Sequence, residues 1–175
     1  MNDATVAWLN GLEASAAAAQ FHKCCAAEAW VTQMVAARPL ANGVAVCDLA
    51  ENCFDQLQRD DWLAAFNSHP RIGDLNSLRM KLAGNKQWSA SEQSGMSAAD
   101  EEMIQRLATG NQLYDERFGY PFIICATGKS AAEMCAALYE RLTNDPHAEL
   151  PVAAGEQRKI TRLRLEKLAP PNEAT

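Results

Sequence analysis

The chain has 175 residues, 48% of them hydrophobic and 22% charged, and a formal net charge of −6. That length fits one domain and can bury a core without disulfide or metal staples. The acidic balance argues against a broad nucleic-acid footprint and against adhesion to anionic lipid, and leaves room for a small anionic substrate held locally by one or two arginines.

The opening "MNDATVAWLNGLEAS" has neither the basic head nor the long apolar core of a secretory signal, and no apolar run approaches a membrane span. A cytoplasmic location is expected. Val6, Leu9 and Leu12 stripe a first helix. A second is predicted over 21–37, stopping before "RPLANG". It contains "HKCC", whose cysteines read as the inner face of an amphipathic helix. The cysteines (Cys24, Cys25, Cys47, Cys53, Cys125, Cys135) form no C-x-x-C pair and no zinc spacing with histidine, so no metal is expected and a reducing compartment fits. A third helix is predicted over 44–58, with Val46, Leu49, Cys53 and Leu57 as its stripe.

"DDWLAAFNS" is a short helix ending at His69–Pro70, and "LNSLRMKLAG" is another, with Gly84 near its stop. The longest predicted helix is "SAADEEMIQRLATGNQLYDERFG". Ser97 with Asp100 or Glu101 marks its start, Met103, Ile104, Leu107, Tyr114 and Phe118 stripe it, and Gly119 fits its C-terminal cap. "YPFIICATG" is the one compact apolar run with β-branched residues. It has no second strand to pair with, so an extended segment at about 120–127 across the core is expected. "SAAEMCAALYERL" restarts the helical pattern with a capping box of Ser130 and Glu133. Pro146 opens the last helix, which runs to about Leu168 before Pro170 and Pro171. The expectation is an all-α single-domain bundle of about eight helices over 1–170, with a short tail at 171–175.

Three places depart from a plain bundle. In "KITRLRLEKL", Ile160, Leu163, Leu165 and Leu168 span an arc of about 160°, with Arg164 at its centre and Arg162 opposite. An arginine there pairs with a core carboxylate, snorkels to water, or holds a ligand anion. In "KQWSASEQSGM", Ser89 and Glu92 make a capping box, or Glu92 and Gln93 project polar groups into a pocket. His69 precedes Pro70, which restricts its backbone; the turn is a structural device or a preorganised acid–base group.

With these residues singled out, the chain resembles the 2-oxo-4-hydroxy-4-carboxy-5-ureidoimidazoline (OHCU) decarboxylase family of uric-acid degradation. The resemblance rests on "HPRIGD" (69–74), "SASEQSGM" (89–96), "ERFGYPFIICA" (116–126) and "KITRLRLEKL" (159–168), in the family's order and spacing. It implies an all-α, cofactor-independent, commonly dimeric enzyme that converts OHCU to (S)-allantoin and carbon dioxide. It implies that His69 donates the proton and that Glu92 and Arg164 complete the catalytic set. Pro70, Ser89, Glu92, Gln93, Phe122, Ile123, Ile124, Cys125 and Ala126 would bind the small-molecule substrate. The alternatives are a helical binding module in which His69 and Arg164 are internal struts, and a decarboxylase of a related ureido or imidazoline acid.

Overall fold

The structure, a computed structural model, describes residues 1–69 and 98–171, with the backbone alone at 98–100. Among these residues there are eight helices and no strand: α1 (Asp3–Gly11), α2 (Ala14–Cys24), α3 (Glu28–Ala36), α4 (Gly43–Asp55), α5 (Arg59–Asn67), α6 (Ala98–Phe118), α7 (Ala131–Arg141) and α8 (Pro146–Glu166). The all-α expectation holds. The helix expected in "LNSLRMKLAG" lies outside the described residues. The chain divides into two compact units, 1–68 with 154–175, and 69–153.

In the first unit, local chemistry sets the helix ends. Asn2 caps α1 by accepting from the Thr5 N–H at 2.8 Å, and Asn42 caps α4 by accepting from Ala45 at 2.9 Å. Arg38 donates to the carbonyls of Leu9 and Leu12 at 2.8 and 2.6 Å, satisfying acceptors that the end of α1 leaves unpaired. Asn10 exchanges two hydrogen bonds with the Leu40 backbone, fixing the loop before α4 to α1.

The helix expected over 21–37 is two helices. The chain leaves α2 through Cys25, extended at φ −147°, and restarts at Glu28. At about 100° per residue an unbroken helix would set Cys25 and Trp30 about 140° apart. The break lets both reach full burial, with Phe21 against Trp30 in an edge-on contact of 6.1 Å. Nothing in "CCAAEAW" opposes helix locally; packing decides the break. The Trp30 indole N–H then finds the Ala50 carbonyl at 3.0 Å.

The second unit is built on α6 and α7, with 146–153 of α8. Gly110 marks the close approach of α6 and α7, since a Cβ there would meet Leu138 Cδ2 at 2.7 Å. Gly119 ends α6 at φ 79° with its N–H on the Asp115 carbonyl at 2.8 Å, the left-handed cap expected of it. The expected capping box at Ser130 and Glu133 is present and starts α7. Residues 121–126 belong to no helix or strand, and Pro121, Phe122, Ile123 and Cys125 are buried.

Candidate active site

His69 stands immediately after α5. Ser68 closes that helix, its N–H and its hydroxyl both reaching the Ala65 carbonyl, at 3.3 and 2.6 Å. His69 follows in a bend and is half-buried. This is the helix-end setting expected for it. Pro70, Ser89, Glu92 and Gln93 lie outside the described residues.

Arg164 belongs to α8 in the first unit, and here the sequence pattern needs correcting. It was expected at the centre of the buried face; it is exposed. The buried stripe of α8 in this unit runs through Ala154, Gln157, Thr161 and Leu165. Its centre lies about 60° from Arg164. Gln157 and Thr161 can occupy the interior because the Gln157 amide donates to the Thr161 hydroxyl at 3.2 Å. A pattern that counts only apolar residues misses both. Among the described residues no core carboxylate pairs with Arg164. Its Nη1 donates instead to the carbonyls of Lys23 and Cys24, at 3.3 and 3.4 Å, where the end of α2 presents unpaired acceptors and the negative end of its dipole. Beside it, burial pushes the Cys24 thiol up to about 12 despite the nearby guanidinium. Arg162 lies on the exposed face as expected, with its Nε on Glu166 at 3.1 Å.

The 122–126 segment belongs to the second unit. Alternate carbonyls along it are held by side-chain cations. Arg141 Nη1 donates to Ile123 O at 2.8 Å, and Lys129 Nζ donates to Cys125 O at 3.2 Å. The Lys129 N–H closes a turn onto Ala126 O at 3.1 Å, with Gly128 at φ 79° in the position that a type II turn reserves for positive φ. Behind the segment, Tyr114 meets Phe118, Tyr120 and Phe122 at ring separations of 4.5, 5.8 and 5.0 Å. Ile124, flanked by buried neighbours, is only half-buried, and Ala126 is exposed.

The segment is anchored by a buried ionic cluster that the sequence did not disclose. Glu149 is 0% exposed and Arg141 8%. Glu149 Oε1 accepts from Arg141 Nε at 2.7 Å and lies 2.5 Å from Nη2. The Tyr114 hydroxyl also donates to Oε1, and Asn144 donates to Oε2 at 2.6 Å. Burial, and the bond to Glu149, hold the Tyr114 phenol well above its usual pKa, so it stays a donor. The internal salt bridge considered for Arg164 is thus found at Arg141. No sequence rule links an arginine at the end of α7 with a glutamate in the first turn of α8.

Among the described residues no group of His, Cys, Asp or Glu side chains could hold a metal ion. Taken each in its own unit, the described candidates are an imidazole after α5, a guanidinium on α8 and a tethered, non-helical backbone with an aromatic backing. Such groups can orient an anion, hydrogen-bond amide-like functions and transfer a proton.

The comparisons with known proteins point the same way. A family model described as OHCU decarboxylase matches residues 10–166. The Uric acid degradation bifunctional protein TTL of Arabidopsis thaliana is 38% identical over 145 residues, 83% of this chain and 45% of that protein. The 2-oxo-4-hydroxy-4-carboxy-5-ureidoimidazoline decarboxylase of Amia calva is 34% identical over 100 residues, 57% of each chain. The chain thus spans about half the length of these curated relatives. A crystal structure of an OHCU decarboxylase in the presence of (S)-allantoin superposes with a TM-score of 0.67 at 38% identity, covering 85% of this chain and 95% of that one.

Proposed function

Because this chain belongs to the OHCU decarboxylase family, we propose that it is a carboxy-lyase of uric-acid degradation that converts OHCU to (S)-allantoin and carbon dioxide. The observation that supports the reading is the likeness, over 85% of this chain and 95% of that one, to an OHCU decarboxylase solved in the presence of (S)-allantoin.

The chemistry suits the residues. In OHCU the carboxylate is beta to a ring imine, so the electrons of the breaking C–C bond flow into the ring and the substrate supplies its own sink. Cofactor independence follows from that chemistry. The protein must hold the carboxylate out of the ring plane, keep water away from a departing neutral molecule, and deliver one proton to one face. Arg164 orients the substrate. Among the described residues its Nη1 makes two long bonds, and its other donors are suited to meet an anion. Too tight a grip on the leaving carboxylate would stabilise the ground state and slow the reaction. The family resemblance assigns Glu92 and Gln93 to the ureido N–H and C=O groups, Ser89 and Pro70 to substrate binding, and Glu92 with His69 and Arg164 to the catalytic set. The backbone from Phe122 through Ile123, Ile124 and Cys125 to Ala126 supplies amide donors and acceptors to the ring. His69, fixed after α5, protonates the enol-like intermediate from one side and sets the product's handedness.

We place this activity in the cytoplasm and expect a homodimer, to be checked by analytical ultracentrifugation. The test of the reaction is chirality. OHCU decays by itself to racemic allantoin, so freshly generated OHCU is incubated with the protein and the product followed by circular dichroism. A large excess of the S enantiomer is expected. A racemic product at the spontaneous rate sinks the proposal.

A further inference from the structure

The ionic cluster of the second unit has no place in the chemistry above, yet its arginine touches the segment assigned to the substrate. Arg141 divides its donors: Nε and Nη2 go to Glu149, while Nη1 goes to the Ile123 carbonyl at 2.8 Å. Its guanidinium also lies 4.6 Å from the centre of the Phe122 ring. One side chain therefore holds both the backbone and the ring at the start of the 122–126 segment. Tyr114 and Asn144 complete the environment of Glu149, so the fork cannot turn without leaving a buried carboxylate unpaired. A buried ion pair often contributes little net stability compared with hydrocarbon of the same volume. It does fix a geometry, and the geometry fixed here is that of a segment with no helix or strand to define it.

We propose that Arg141, locked by Glu149, is a positioning residue for the reaction: it sets the backbone of the 122–126 segment in the conformation that receives the substrate. The inference rests on the function proposed above. It goes beyond that function by assigning substrate affinity to a buried pair that never touches substrate. A single-point cation cannot reproduce the division of donors. Lysine at 141 can keep the bond to Glu149 and forfeit the one to Ile123.

The test compares Arg141→Lys with wild type and with Ser130→Ala, a helix-cap variant of the same helix that lowers stability without touching the segment. Expected for Arg141→Lys is a rise of about tenfold in KM for OHCU with kcat within about twofold, the pattern of lost uniform binding. Ser130→Ala should lower Tm and leave KM unchanged. A role confined to stability predicts the same unchanged KM in Arg141→Lys, and that result overturns the inference. Should Arg141→Lys fold poorly, Arg141→Met with Glu149→Leu and Tyr114→Phe replaces the pair by hydrocarbon, a change that buried ion pairs commonly tolerate. The same KM criterion then decides. Amide hydrogen exchange of Ile123 and Ile124 separates the two levels of the argument. Wild type without S-selective turnover removes the proposed function, and with it the role in substrate binding. Selective wild-type turnover, with exchange and KM unaltered in the variants, removes only the role of Arg141.

Discussion

At the scale of single residues, the contrast between the arginines of α8 and α7 is instructive. Arg164 and Arg162 are both exposed and differ in what they reach: α2's terminal carbonyls for one, Glu166 for the other. Arg164→Ala is therefore expected to abolish S-selective turnover with little change in Tm, and Arg162→Ala to leave turnover near wild type. Steady-state kinetics with dichroic detection checks both, and the reverse order would reject the assignment. His69→Asn keeps a planar polar side chain but cannot donate a proton at neutral pH. It should reduce turnover by about 10²- to 10⁴-fold, the usual contribution of a positioned acid, with the melting temperature close to wild type. The helix-end setting of His69 was legible in sequence because proline follows it. Arg141 was not, because its partner lies on the next helix and its acceptor is a backbone carbonyl.

At the scale of elements, helix termini were the most legible feature, since a cap is written within four residues. Ser130 and Glu133 show this. The Glu133 carboxylate accepts from the Ser130 N–H and hydroxyl, each at 2.7 Å, and those bonds hold its carboxyl below the ordinary range. Ser130→Ala should destabilise the protein by about 1 kcal/mol in urea denaturation. The sign with pH follows from the depressed pKa: the contribution of Glu133 is complete above the unfolded carboxyl pKa and is lost as pH falls through the lower folded value. Melts of wild type and Glu133→Gln across the acid range should converge on acidification. Helix interruption was illegible for the opposite reason. Cys25 leaves the helix because Trp30 and Phe21 pack better when it does, and that preference is recorded in no local pattern.

At the scale of the whole molecule, the helical composition, the scarcity of β-branched residues and the free thiols belong together. All six cysteines are free, five of them buried, and Cys47 alone is half-buried. Under native conditions a bulky thiol reagent should label Cys47 first, and the others only on unfolding. Mass mapping of the labelled peptides checks the order, and early labelling of Cys24 or Cys25 would contradict the packing around α2. No helix among the described residues is long and apolar enough to cross a membrane. The sequence alone determined the all-α class, most helix starts and stops, the extended run before α7 and the family, because caps, prolines, glycines and apolar spacing are local and each carries its own physical cause. Tertiary structure alone decided which face of α8 is buried, where the second predicted helix breaks, and that Arg141 and Glu149 hold the 122–126 backbone. Those outcomes depend on polar groups finding partners far along the chain, and such pairing exists only once the chain has folded.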